Sequence, residues 1–334
     1  MLVWTQFGLC LVVIAAAGYQ VCRYADVIAE KAGLTGSWVG IVLLATVTSL
    51  PELSTGITSV TVARVPDIAV GDALGSCVFN LLIIGVLDSL QRGESIYTRA
   101  TQGHILAATL GVVMIGFAGF NILLARPVGA WHIGHVGVAS PIIVALYVLA
   151  IRMIHRYEIE QLASLTHKAV SRYQGISLRQ AIAGYGLSAA VVVSAGVLLP
   201  FAAARVAELM GWGQSFVGTL LVAAATSAPE MAVTISAFRI GAINMAIAGL
   251  LGSNLFDVLI LAVDDLFYRP GPLLASVSRA HVLSAFTAIM MSGVAVIGLF
   301  LRARARPFLT VGWTSLALFT LYLLNSYVLY LHAG

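Results

Sequence analysis

Residues 40–52 read GIVLLATVTSLPE, and residues 218–230 read GTLLVAAATSAPE. Gly40/Gly218, Ala45/Ala223, Thr48/Thr226, Ser49/Ser227, Pro51/Pro229 and Glu52/Glu230 match at an offset of 178 residues. Further on, GSCVFNLLI at 75–83 answers GSNLFDVLI at 252–260, with Ser76/Ser253 and Asn80/Asp257 aligned at an offset of 177. Two motifs recurring in the same order, half a chain apart, mark an internal duplication.

The surroundings of these motifs are apolar. Of 334 residues, 60% are hydrophobic, and only 18 are Lys or Arg and 14 Asp or Glu. Soluble domains carry about 25% charged residues, so this composition excludes a water-soluble fold. Charge-bounded apolar runs predict ten spans near 2–22, 36–61, 67–89, 101–124, 133–151, 179–207, 214–238, 243–266, 280–301 and 307–331. The first residues lack a basic leader and a cleavage site, so they are expected to be a retained span. Net charge is +4, but no basic domain could hold a duplex, which argues against a nucleic-acid partner. Cys10, Cys22 and Cys77 sit in apolar runs without metal spacing and are expected to pack.

The stretch 152–178 is the one substantial polar segment and divides the chain into two five-helix halves, 1–151 and 179–334. Because five is odd, the second half crosses the membrane in the opposite sense to the first. The expected fold is therefore an all-α polytopic membrane protein, with ten transmembrane helices as two inverted-topology five-helix repeats. That architecture is typical of secondary transporters with a mid-membrane site. Thirteen basic residues fall on the side of 152–178 and five on the other, which predicts a cytoplasmic central loop and both termini outside, in a bacterial-type inner membrane.

Chemistry concentrates in the repeated motifs. Pro51 and Pro229 fall inside apolar helices, where each removes a backbone hydrogen bond and should break the helix. Carbonyls around Ala45 and Ala223 are then expected to be free as ligands, since irregular backbone is tolerated where it lines a cavity. A membrane-embedded acid costs roughly 2.5–3.5 kcal/mol, so Glu52, Glu230 and Asp257 together represent on the order of 8–10 kcal/mol that only cations or protons would offset. Helical spacing puts Ser76 with Asn80, and Ser253 with Asp257, on one face. Thr48, Ser49, Thr226 and Ser227 add hydroxyls, and the resulting all-oxygen set favours Ca²⁺ or Na⁺ over softer metals. No enzyme cofactor is implied.

On these residues the chain resembles the Na⁺/Ca²⁺ exchanger branch of the cation/Ca²⁺ exchanger superfamily, whose two repeats carry T-S-x-P-E and G-S-N-x-x-[ND]. The resemblance implies antiport of Ca²⁺ against Na⁺ by alternating access, with Ca²⁺ extrusion as the expected direction. It makes Glu52 and Glu230 the central Ca²⁺ ligands. Thr48, Ser49, Ser76, Asn80, Thr226, Ser227, Ser253, Asp257 and the carbonyls of Ala45 and Ala223 would complete the sites, and the first and sixth spans would form a sliding gate. Two departures stand out: Cys77 occupies a position where the family has Asn, and Asp72 lies four residues before Ser76 with Gly249 at the matching place. Cys77 is expected to face away from Asn80 and pack. Asp72 is either a helix-end residue near the interface or a cavity-mouth acid that attracts cations.

The rival readings are a Ca²⁺/H⁺ or K⁺-linked antiporter, a passive cation channel and an intramembrane enzyme with a carboxylate dyad. The enzyme reading lacks a nucleophile and base constellation. His132, His135 and the pair Asp264–Asp265 lie near span ends, where interfacial or structural roles are expected. Trp4, Trp313, Tyr327 and Tyr330 fit interfacial belts.

Overall fold

The computed structural model describes residues 2–91, 94–124, 131–164, 173, 175–210, 224–302 and 311–332. Ten helical spans run through them: α1 (Leu2–Ala32), α2 (Gly36–Ala63), α3 (Pro66–Leu90), α4 (Gly103–Leu124), α5 (Ala139–Ser164), α6 (Leu178–Met210), α7 (Ala228–Arg239), α8 (Ile243–Phe267), α9 (His281–Leu301) and α10 (Trp313–His332). Seven are long and apolar enough to cross a membrane by length and composition: α1 to α4, α6, α8 and α9. Each expected span has a helix. The boundaries move where long helices continue past the apolar run: α1 extends ten residues beyond 22, and α5 runs to Ser164, into the stretch expected as central loop. Part of that stretch, 165–172 and 174, lies outside the described residues, as does 211–223 ahead of α7.

Helices α3 and α8 form the axis of the molecule. Both are buried on nearly all sides, through Leu74, Leu81 and Ile84 on α3 and Leu251, Leu255 and Val258 on α8. A helix apolar all round and buried all round is the interior member of a bundle. α4 and α9 pack on each other through Ala118, Gly119 and Ala285, close enough that a Cβ at Gly119 would stand 2.9 Å from that of Ala285. Small residues at such crossings replace the hydrophobic drive that lipid removes. Phe120, Phe286, Phe300 and Leu323 are exposed and suit a hydrocarbon surround.

Two glycines set the distance between α2 and α8. A Cβ on Gly40 would meet the Met245 carbonyl oxygen at 2.5 Å, and one on Gly252 would meet the Ile41 Cα at 2.7 Å and its carbonyl oxygen at 2.8 Å. At Gly40 α2 widens into a π turn over Gly40–Leu44, with a second over Ser59–Ala63. Such bulges re-aim the residues that follow and favour functional positions. Here Ala45–Thr48, the next segment, carries the first motif residues.

Acids at corresponding ends pin α3 and α8. Asp88 accepts from Ser95 Oγ at 2.6 Å, Ile96 N at 3.1 Å and, across to α10, Ser315 Oγ at 2.7 Å. Asp265, its counterpart 177 residues on, accepts from Leu273 N at 2.6 Å, Gly137 N at 2.8 Å and the Ser140 hydroxyl on α5. Each carboxylate ties one half of the chain to the other. His132 and His135 flank the turn of a small hairpin, β1 (His132–Ile133) with β2 (Val136–Gly137), and bond to the Gly134 and Leu266 carbonyls.

Candidate functional site

Both repeats break their helix in the same way. Ser49 has φ −89° and ψ 8°, and Ser227 has φ −82° and ψ 5°; in each half helix resumes at the next residue with Pro in its first turn. Proline is tolerated there because its missing N–H would have had no partner within the new helix. The break turns the following Glu52 and Glu230 inward, and both are almost fully buried, at 1% and 2% exposure. The expectation that the Ala45 carbonyl is freed needs correction. It accepts Ser49 N at 3.0 Å and is approached by Thr48 Oγ1 at 3.4 Å. The carbonyl that loses its donor to Pro51 is four residues back, at Val47. Ala223 lies outside the described residues.

The two halves cross-link at the breaks. Ser49 Oγ donates to Glu230 Oε1 at 3.1 Å, and Ser227 Oγ lies 3.4 Å from Glu52 Oε1, so each motif serine reaches the opposite motif glutamate. Ser227 Oγ also meets Ser76 Oγ at 3.1 Å, and Ser76 Oγ approaches Glu52 Oε1 at 3.5 Å. The reciprocal corner pairs Thr48 Oγ1 with Ser253 Oγ at 3.5 Å. Between α3 and α8, Asn80 Nδ2 donates to Asn254 Oδ1 at 3.1 Å and to Asp257 Oδ2 at 3.3 Å. Nine of the twelve expected site residues thus gather in one buried constellation; Thr226, beside Ser227, bonds to Asp72, and Ala45 is adjacent.

Three side chains belong to this constellation against or beyond expectation. Cys77 does not face away: its Sγ lies 3.8 Å from the Asn254 carbonyl and 3.9 Å from Asp257 Oδ2. α3 and α8 pack so closely that the flank of α3 as well as its Ser76/Asn80 face meets α8. Asn254, the repeat partner of Cys77, holds the Asn80 amide and was legible in the GSN triplet. Asp72 is no interfacial residue. It is 3% exposed and accepts Thr226 Oγ1 at 2.9 Å.

What remains unsatisfied defines the chemistry. Glu52 Oε2, Glu230 Oε2, Asp257 Oδ1, Asn80 Oδ1 and Asp72 Oδ2 are all buried with no hydrogen-bond partner among the described residues. Every one is an acceptor oxygen. Leaving a buried acceptor unpaired costs about 1–3 kcal/mol, more when charged, so the arrangement asks for a donor of positive charge. Among the described residues no three Asp, Glu, His or Cys side chains could hold a metal ion alone. Hydroxyl, amide and backbone oxygens must therefore complete any coordination shell, as hard cations with six or more ligands require.

Residues 2–154 and 180–331 match the family model described as sodium/calcium exchanger protein. The chain belongs to this family. Among its members' relatives, the inner membrane protein YrbG of Escherichia coli is 24% identical over 266 residues, covering 79% of this chain and 78% of that protein. The sodium/calcium exchanger MaX1 of Methanosarcina acetivorans is 38% identical over a shorter 108 residues, 32% of this chain and 27% of that one. A solved structure of the sodium-calcium exchanger NCX_Mj superposes with a TM-score of 0.73 at 18% identity, covering 97% of both chains. The exchanger fold, with ten helices in two repeats, extends over the whole molecule, and the family consists of transporters of the membrane.

Proposed function

We propose that this exchanger moves Ca²⁺ against Na⁺ through the pocket between the helix breaks, with Glu52, Glu230, Asp257, Asn80, Ser49, Ser76, Ser227, Ser253, Thr48 and Thr226 as its ligand set. The observation that carries the reading is the set of orphaned, buried acceptor oxygens, contributed by both repeats and facing no Lys, Arg or His among the described residues. One Ca²⁺ or more than one Na⁺ would neutralise the same carboxylates. Shared ligands and shared charge keep both from binding at once, which couples the two fluxes. An empty, negative pocket is penalised when it changes sides.

The packing supports α1 and α6 as the moving pair. They lie along each other, with the Tyr24 ring seated on Gly184, and meet the remaining bundle through Cys22 Sγ to the Val233 carbonyl at 2.9 Å and Tyr185 OH to the Leu43 carbonyl at 2.8 Å. By contrast, Asp88 latches α3 to α10 and Asp265 latches α8 to α5. The basic-residue asymmetry supports a cytoplasmic central segment, so that inward Na⁺ would drive Ca²⁺ extrusion from the cell. The halves 1–151 and 179–334, joined by 152–178, are the proposed units of the duplication.

The test is ⁴⁵Ca²⁺ flux in proteoliposomes under separate Na⁺, K⁺ and H⁺ gradients. Uptake should follow a Na⁺ gradient at clamped pH and vanish in Glu52→Gln and Glu230→Gln. Uptake that ignores Na⁺ and follows the proton gradient alone would replace Na⁺ by H⁺ as the coupling ion; normal transport in both variants would overturn the ligand assignment.

A further inference from the structure

The sequence places Asp264 near the end of an apolar run, where an interfacial or structural role is expected. The structure buries it completely, at 0% exposure, and neither carboxylate oxygen has a hydrogen-bond partner among the described residues. Its neighbour Asp265 is fully engaged as a latch, so the two adjacent acids have opposite environments. The Asp264 carboxylate points at Gly56 on α2, so closely that a Cβ there would collide with both of its oxygens.

Asp264 is not isolated. Asp72 lies near enough to Asp264, and to Glu52 and Asp257, to act on each electrostatically, and its Oδ1 accepts Thr226 Oγ1 at the edge of the central pocket. Helix geometry agrees. Asp72 lies four residues before Ser76 on α3, about 6 Å nearer the Pro66 end, and Asp264 lies seven residues after Asp257 on the antiparallel α8, about 10 Å nearer the Phe267 end. These are the same end of the bundle. Gly56, one turn beyond Glu52, rises toward it as well. Asp72 Oδ2 is also buried without a partner, while its Oδ1 holds Thr226. Among the described residues the one ion pair is His281 with Asp67, elsewhere on this end, so neither acid has a basic partner there.

From this geometry we infer that Asp264 and Asp72 form a second station for a hard cation, between the central pocket and the Pro66/Phe267 end of the molecule. Gly56, lacking a Cβ, makes room for the Asp264 carboxylate itself, and the Thr226 hydroxyl supplies a neutral oxygen at the inner edge. A cation entering from that end would exchange water for these oxygens before reaching Glu52 and Asp257. The station rests on the cation-transport reading of the central pocket and adds a stop on one side of it only: the repeat partners of Asp72 and Asp264 are Gly249 and Leu87, which offer no charge to the opposite path.

Two measurements on the full-length chain test it. In the first, Ca²⁺ alone is titrated calorimetrically into detergent-solubilised Glu52→Gln/Glu230→Gln protein, with and without Asp264→Asn. Weak residual binding in the double variant that disappears in the triple variant is the expected result. In the second, ⁴⁵Ca²⁺ uptake is measured from each face of oriented proteoliposomes. Asp264→Asn should raise the half-saturating Ca²⁺ about fivefold or more from the Pro66/Phe267 face and leave the other face unchanged, Asp264→Glu should retain most of the parental affinity, and Gly56→Ala should reproduce the Asp264→Asn effect. The inference is overturned if Asp264→Asn and Gly56→Ala bind and transport like the parent at both faces. Should Asp264→Asn not yield monodisperse protein, Gly56→Ala decides alone. Residual binding that depends on Asp264 while Glu52→Gln transports normally would sink the central assignment and leave the second station standing.

Discussion

Gly252→Ala tests whether the spacing of α2 and α8 sets the ion site. The added Cβ would stand 2.7 Å from the Ile41 Cα, 2.8 Å from the Ile41 carbonyl oxygen and 3.0 Å from the Ala45 Cβ. Carbon atoms rest at about 3.5–4.0 Å, so the helices must part by roughly 1 Å. Two of the three obstacles are backbone and cannot rotate away. Overpacking of this kind costs typically 1–3 kcal/mol. Ser253 and Asp257 follow Gly252 on α8, and Thr48, Ser49 and Glu52 follow Ile41 on α2, so relief by separation pulls the two ligand groups apart. A cation that needs them at the original spacing must restore the strain, and 1–3 kcal/mol corresponds to roughly 5- to 150-fold weaker binding. Calorimetric Ca²⁺ titration of the purified variant measures this, with thermal melting as the companion readout. Gly293→Ala on α9 is the control, since its Cβ would meet nothing within 4 Å. If Gly252→Ala bound Ca²⁺ as tightly as Gly293→Ala, close approach at that point would not govern the site.

Ser49→Ala and Ser227→Ala each remove a hydroxyl directed at the opposite glutamate. A hydrogen bond to a charged group contributes about 1.5–3 kcal/mol, so each should raise the half-saturating Ca²⁺ about tenfold or more, and by similar factors; effects differing by more than a decade would refute the reciprocal arrangement. Asp88→Asn and Asp265→Asn should lower the melting temperature, each disturbing three accepted bonds, while Ca²⁺ affinity stays within about twofold; a selective loss of affinity without destabilisation would place these acids in transport instead. His281→Ala removes a pair whose acid is half exposed, and exposed pairs contribute about 0–1 kcal/mol, so its melting temperature should shift little at moderate salt.

The duplication was legible because its residues cannot be disguised: proline and carboxylates in an apolar run are costly wherever they occur. The crossing of Ser49 to Glu230 and Ser227 to Glu52 was not, since it depends on how two half-chains face each other. The π turn over Gly40–Leu44 leaves no trace in apolar periodicity, because it shifts the register of a segment whose neighbours are all apolar. Ala45 was misjudged for a simpler reason: the carbonyl that Pro51 deprives of its donor is that of Val47, and the Ala45 carbonyl keeps its bond to Ser49 N. The burial of Asp264 was not legible either: position in an apolar run indicates depth along one helix, whereas its burial involves the close approach of Gly56 on another. The latches were readable in retrospect, because Asp88 and Asp265 stand 177 residues apart and each caps the backbone amide eight residues later, at Ile96 and Leu273.

Where the repeat fails to match, the mismatches have a direction. Asn80 opposes Asp257, Cys77 opposes Asn254, Asp72 opposes Gly249, and Asp264 opposes Leu87. A perfectly matched pair of inverted repeats would present equivalent paths to the two faces, so any functional difference between them must come from such positions. The first two mismatches lie in the central pocket and put a single extra charge there. The other two lie on opposite repeats, yet inversion carries both carboxylates to the Pro66/Phe267 end and leaves glycine and leucine on the opposite path. A path lined by unpaired carboxylates concentrates cations and speeds their capture, and the path that has glycine and leucine at those positions lacks this aid. The asymmetry of charge thus supplies what duplication alone cannot, a difference between loading the site from one side and from the other.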